Sequence, residues 1–190
     1  FPVTQFVNLS VGSSNTNVIA GGSRDNGMCV TTNGGLSWTQ TLAGDGSGVA
    51  IDPLNANRIF MTSGAYSGAF TWKRFTSTNF GFNWTEVSDP VFDPAKTSYT
   101  KMRCDRNVPA RFYTNLGAHI YRTSNNGASW SKLNNAPFPD SSILNFNVSK
   151  NGGLVYVCLN ATPPVAGAKV RVFDNGVWEE RSTGLPSNQN

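Results

Sequence analysis

Long apolar runs are missing from this sequence of 190 residues. No stretch approaches the roughly 20 residues that a membrane-crossing helix needs, so no helical insertion into a bilayer is expected. Amphipathic helical stretches with start and stop signals are missing as well. Charge is sparse at 14% of residues, and the formal net charge is +4. The basic residues are scattered, with no run beyond Lys73-Arg74, which excludes the concentrated basic, aromatic-laced patch of a nucleic-acid groove. Histidine occurs once, at His119, so a Ser-His-Asp triad has a single place for its base and a zinc site lacks ligands. His119 reads as a partly buried strand residue. The three cysteines, Cys29, Cys104 and Cys158, fit no metal spacing. Their odd number leaves either one disulfide and one thiol or three thiols. No glycine-rich loop joins a strand to a helix, so phosphate-binding motifs are absent. No cofactor and no metal are expected.

What is present is glycine, at 19 residues, with Asn, Ser and Thr filling the gaps between short apolar runs. That composition suits many short strands joined by tight turns. Four Asn-x-Ser/Thr triplets occur, at Asn8, Asn83, Asn147 and Asn160. In a chain so rich in these residues they arise by chance, and they matter only where a eukaryotic secretory pathway reads them. The first residue is Phe1, with no charged-then-apolar leader. A removed leader or a fragment edge is the expected reason.

The chain repeats itself. Thr31-Thr-Asn33-Gly-Gly35-Leu-Ser37-Trp38, Ser77-Thr-Asn79-Phe-Gly81-Phe-Asn83-Trp84 and Thr123-Ser-Asn125-Asn-Gly127-Ala-Ser129-Trp130 share one pattern: Ser/Thr, x, Asn, x, Gly, x, Ser/Asn, Trp. The tryptophans stand 46 residues apart both times. An eroded fourth copy is Phe173-Asp174-Asn175-Gly176-Val177-Trp178. Three short apolar strands precede each copy and one follows from the tryptophan. Four strands per unit of about 46 residues is the size of a propeller blade. The fold class is therefore all-β: a β-propeller of four-stranded antiparallel blades, four of them in one domain over 1–190. The blades run approximately 1–44, 45–90, 91–136 and 137–186. A blade cannot bury both faces alone and must stack on neighbours.

The pattern has a turn logic. The Asn bonds backbone amides across the turn, the Gly takes a backbone angle that other residues resist, and the Trp packs on the turn at the outer end of the blade. Thr31, Asn33, Gly35, Ser37 and Trp38, then Ser77, Asn79, Gly81 and Trp84, then Thr123, Asn125, Gly127, Ser129 and Trp130 are accordingly structural.

These segments resemble the Asp-box, or bacterial neuraminidase repeat, family. It includes sialidases, sortilin-type receptors, xyloglucan-specific endoglucanases with paired propellers, and a photosystem II assembly factor. The likeness covers all four units, and its motifs are specific for the blade rather than the activity. Gly21-Gly-Ser-Arg24-Asp25-Asn26-Gly27, the first box, and Gly44-Asp45-Gly46 leading to Val49-Ala-Ile-Asp-Pro53 resemble secreted bacterial proteins of sortilin-like or glycosidase-like type. Those carry Gln where this chain has Arg24. Ser182-Thr-Gly-Leu-Pro186 resembles a linker into a further blade, and complete propellers of the family usually have six to ten. The resemblance implies part of a larger propeller, completed by further blades or subunits, in a secreted, extracellular or periplasmic protein.

A sialidase would need an arginine triad and a Tyr-Glu pair, and no motif selects them. Meander geometry places the turns between second and third strands on one face, with the blade-to-blade linkers, and the boxes on the opposite face. The first face gathers Arg24, Asp25, Asn26, Asp45, Tyr66 and Asn115, with linker acids Asp89, Asp93 and Asp140. Asp25 and Asp45 converge near the first blade boundary and are the candidate catalytic carboxylates. Arg24, Asp25, Asn26, Asp45, Tyr66 and Trp72 are the candidate ligand contacts, with Phe70 beside the aromatics. Asp-Asn-Gly and Gly-Asp-Gly are equally ordinary turn sequences. The leading expectation is a binding or scaffold propeller recognising a glycan or an extracellular protein, without a catalytic set. The alternatives are a fragment of a xyloglucanase-like glycoside hydrolase using Asp carboxylates, and a structural repeat of an extracellular assembly.

Overall fold

The computed structural model describes residues 4–63, 73–87, 89, 91–92, 100–136, 138, 141–150, 153–161 and 170–185. Among them every regular element is a strand. The first sheet holds β1 (Gln5–Val11), β2 (Ile19–Arg24), β3 (Gly27–Thr31) and β4 (Thr39–Leu42). The second holds β5 (Gly46–Ile51), β6 (Ile59–Ser63), β7 (Lys73–Ser77) and β8 (Thr85–Glu86). The third holds β9 (Met102–Cys104), β10 (Phe112–Leu116), β11 (His119–Thr123) and β12 (Ser131–Lys132). The fourth holds β13 (Ser141–Val148), β14 (Val155–Ala161), β15 (Val170–Asp174) and β16 (Val177–Glu180). Each sheet is an antiparallel meander in chain order. This is the propeller architecture that the repeat implied.

The core lies between blades. Val18, Ala20, Met28 and Val30 of the first blade meet Val49, Ile51, Ile59 and Met61 of the second. Ala50 and Phe60 meet Met102, Phe112 and Tyr121 at the second seam, and Tyr113 and Ile120 meet Phe146, Val155 and Val157 at the third. Polar side chains close the seams at the inner strands. Val49 donates its amide proton to Asn8 Oδ1 at 2.9 Å, and Ile51 donates to Ser10 Oγ at 3.0 Å. These caps satisfy edge-strand amides that would otherwise be buried without partners. Asp52 adds a second tie: its buried carboxylate accepts from Arg58 at 2.8 Å in its own blade and from the Ala110 amide at 3.0 Å in the next. Asp105 repeats the local half of that device with Arg111 at 3.4 Å.

The box turns share one network. In the first, Thr31 Oγ1 donates to Asn33 Oδ1 at 2.7 Å and accepts from the Gly35 amide at 3.1 Å, while Ser37 donates its amide to Asn33 Oδ1 at 3.0 Å. The second and third boxes repeat it through Ser77/Asn79 and Thr123/Asn125. The fourth unit differs. Asp174 pairs directly with Val177, and Asn175 and Gly176 between them have φ of 46° and 90°. Positive φ at both central positions is the requirement of a type I′ hairpin, for which Asn-Gly is the preferred sequence. The eroded box is thus a two-residue hairpin that needs no Ser/Thr-Asn network.

The box tryptophans do more than close the turn. Trp84, Trp130 and Trp178 reach back into the seam with the preceding blade. Trp84 Nε1 donates to Thr41 Oγ1 at 3.0 Å, Trp178 Nε1 donates to Leu133 O at 2.9 Å, and Trp130 packs edge-on against Phe60 at 5.2 Å. The box glycines take part in this approach. A Cβ on Gly127 would stand 2.3 Å from the Phe60 ring, whereas on Gly35 its nearest neighbour would be Trp38 at 3.9 Å. Both have positive φ. Gly35→Ala is therefore expected to lower stability by about 1 kcal/mol, from backbone strain alone. Gly127→Ala adds overpacking of the seam and is expected to cost about 2–4 kcal/mol. Urea denaturation of the two variants checks the order; equal losses would refute the seam account.

Candidate functional site

The turn between β2 and β3 and the linker from β4 to β5 meet on the face opposite the boxes. Asp25 has φ of 62°, a left-handed turn position. Its amide donates to Asp45 Oδ1 at 2.8 Å, and Asn26 bridges to Gly44. Gln40 Nε2 donates to Asn26 O at 2.8 Å, and Ser63 Oγ donates to Asp45 O at 2.9 Å. The Asp25 carboxylate is exposed, with Arg24 Nε 3.8 Å away. Asp25 and Asp45 are therefore brought together, but through a backbone-to-carboxylate bond. The Asp45 carboxylate holds the turn, and the Asp25 carboxylate and Arg24 guanidinium face solvent beside it.

Other residues placed on this face by sequence have different settings. Asn115 is buried, and its Oδ1 accepts the Lys101 amide at 2.8 Å, fixing the entry to β9. Asp89 sits between the second and third blades, where its carboxylate accepts the amides of Val91 at 2.9 Å and Trp130 at 2.8 Å. At this position the second linker lies against the third blade, so the acid is turned to the Trp130 amide and away from the face. Tyr66, Phe70, Trp72, Asp93 and Asp140 lie outside the described residues. His119 packs by Tyr121, and its Nδ1 is 3.0 Å from Asn134 O, a strand residue with a structural partner.

A concavity elsewhere in the molecule was not legible in the sequence. The inner strands β1, β5, β9 and β13 line a groove of about 720 Å3, which includes Asn8, Ser10, Arg103, Cys104, Arg106, Asn147 and Lys150. The signal that could have found it is the position of Arg103 and Arg106 in and just after a first strand, the one nearest the propeller axis. Burial lowers the Arg103 pKa, opposed by Cys104, and raises the Cys104 thiol. Burial also raises Tyr113 at the third seam. Arg74, buried at the second seam with its guanidinium 3.9 Å from the Phe92 ring centroid, is pushed down to about 10 by burial, against the pull of Asp89, Glu86 and Tyr121. Among the described residues no group of three or more His, Cys, Asp or Glu side chains stands together to hold a metal, and the three cysteines are free thiols.

Stacked four-stranded blades around a shared groove define the class: a β-propeller. The comparisons narrow the setting. No family model matches the chain. Xyloglucanase Xgh74A of Acetivibrio thermocellus is 24% identical over 147 residues, which are 71% of this chain and 18% of that protein. Among solved structures, an ancestral GH74 enzyme matches with a TM-score of 0.76 and 20% identity, over 97% of this chain and 26% of that one. YCF48 bound to D1 peptide matches with a TM-score of 0.64 and 17% identity, over 93% of this chain and 54% of that one. The chain thus spans about a fifth of the length of the curated relative it matches. At these identities the structural likeness is one of fold.

Proton linkage follows from the shifted groups. Cys104 and Tyr113 hold their protons more tightly folded than unfolded, so the stability present at neutral pH is lost as pH rises through the ordinary thiol and phenol range. Arg74 acts oppositely, with a folded value below its unfolded one, and eases only above about 10. Melting temperature is expected to fall between about pH 8 and about pH 10, and Cys104→Ala is expected to flatten the fall. A calorimetric pH series checks it; an unchanged slope in the variant would exclude Cys104 as a contributor.

Proposed function

We propose that these four blades are part of a secreted, glycan-directed propeller of the xyloglucanase kind, and that the face bearing Arg24, Asp25 and Asn26 contacts the polysaccharide. The observation that carries this is the sequence likeness to Xyloglucanase Xgh74A over 71% of the chain, on a fold that a GH74 enzyme shares over 97% of it. Hydrolysis by paired carboxylates needs two acids on either side of the scissile bond, about 5–5.5 Å apart for retention or about 6.5–9.5 Å for inversion. In this reading Asp25 offers the exposed carboxylate, Arg24 and Asn26 offer donors to sugar hydroxyls, and Asp45 positions the turn. Cleavage belongs to the whole-length enzyme.

One feature favours a second reading, binding without turnover. The Asp45 carboxylate is engaged by the Asp25 amide and is not arranged as an acid–base partner. The two readings share the binding face and separate on chemistry. Calorimetric titration of the chain with xyloglucan oligosaccharides is expected to show binding that Asp25→Asn and Arg24→Gln each weaken about tenfold, roughly 1.4 kcal/mol. Asp45→Ala, which removes the acceptor of the Asp25 amide, is expected to weaken it through the turn. Absence of binding by the folded wild-type chain would remove the proposal. Release of new reducing ends by the full-length protein, lost in Asp25→Asn, selects the hydrolase; retention of intact polysaccharide selects the binding module.

A further inference from the structure

The inner groove has a one-sided chemistry. Arg103, Arg106 and Lys150 line it, and among the described residues no acidic one does. Asp105, next to Arg106 in sequence, is buried and pairs with Arg111 instead. Three neutral polar residues of the groove already accept backbone amides. Asn8 Oδ1 takes the Val49 amide at 2.9 Å, Asn147 Oδ1 takes the Val148 amide at 3.0 Å, and Ser10 Oγ takes the Ile51 amide at 3.0 Å. A backbone N–H at these distances identifies the carbonyl oxygen of each Asn; one lone pair of each acceptor is taken, and the NH2 groups and the Ser10 hydroxyl proton are donors on offer. Arg103 keeps its place by donating to Met102 O at 2.8 Å and to Asn145 Oδ1 at 3.3 Å, with its guanidinium 5.8 Å from the Phe146 ring centroid. A half-buried, positioned guanidinium flanked by two exposed cations recognises a fixed anion better than a mobile surface charge does.

The geometry points to this groove as a binding site for an acidic oligosaccharide, one bearing carboxylate or sulfate groups, separate from the Asp25 face. A side-chain lining of donors and cations calls for a ligand rich in acceptors. A saccharide meets that demand with ring, glycosidic and hydroxyl oxygens, and its anionic groups meet Arg103, Arg106 and Lys150. A peptide brings a backbone N–H at nearly every residue, and among the described residues the lining has no carboxylate to take them. The groove volume of about 720 Å3 lies in the range of small-ligand sites.

The test titrates the chain with trigalacturonate, which carries carboxylates only, with a κ-carrageenan tetrasaccharide, which carries sulfates only, with a neutral xyloglucan oligosaccharide, and with an oligoglutamate peptide. At least one acidic saccharide is expected to bind, with affinity falling at least about fivefold as salt rises from about 0.05 M to about 0.3 M. The saccharide that binds names the anionic group. The exposed variants Arg106→Gln and Lys150→Gln are each expected to weaken it about threefold to tenfold, while Asp25→Asn leaves it unchanged. Chemical-shift changes should fall on the β1, β5, β9 and β13 amides. No binding of either acidic saccharide, equal binding of the oligoglutamate, or binding indifferent to the folded double variant would overturn the assignment. Loss of xyloglucan binding alone bears on the Asp25 face and leaves this site standing.

Discussion

Val49 and Ile51 give their amide protons to Asn8 and Ser10 of the blade before, and the apolar side chains around them interlock across the same seam. A four-stranded blade is too thin to have an interior. Its two faces become interior only when neighbours cover them, and its innermost strand is a sheet edge that would invite stray pairing if left bare. Packing and amide capping at the seam solve both problems together. The rest follows from it: the reach of the box tryptophans into the previous blade, the glycine at Gly127, and the tie from Asp52 to Ala110. Stability in such an array is largely a sum of nearest-neighbour seams.

The first and last blades show what happens where a seam has no second side. Trp84, Trp130 and Trp178 are covered by the blade before them, whereas Trp38 stacks on Phe6 of its own blade and is 40% exposed. Leu9 and Val11 beside it are more than half exposed. At the other end Tyr156 and Cys158 point away from the third seam. These end faces carry side chains of the seam type, and a further blade in the same register would bury them as its counterparts are buried within the array.

Much of the fold was legible because the repeat encodes local geometry. Asn33, Asn79 and Asn125 with their glycines specify turns from within a few residues, and the tryptophan spacing specifies the unit. The fourth turn reads as an eroded box and stands where the repeat puts it, but Asn175-Gly176 builds it by a different local rule, that of the two-residue hairpin. The candidate sites were less legible because they depend on which strands stand next to the axis. Asn8 and Ser10 read as a glycosylation-type triplet in sequence, yet both act as acceptors across a seam 41 residues away. Asp89 reads as a linker acid, and only the path of the chain across the seam shows its carboxylate on the Trp130 amide. Arg103, Arg106 and Lys150 lie in different strands or beyond their ends, so no motif gathers them.

The acceptor at the centre of each of the three boxes is a carboxamide and not a carboxylate. Asn33, Asn79 and Asn125 carry no charge and take up no proton in acid. The amides of Ser37, Asn83 and Ser129 therefore keep their acceptor at a pH where an aspartate would have begun to lose it. The turns of the first three blades are thus latched by acceptors that acid leaves in place.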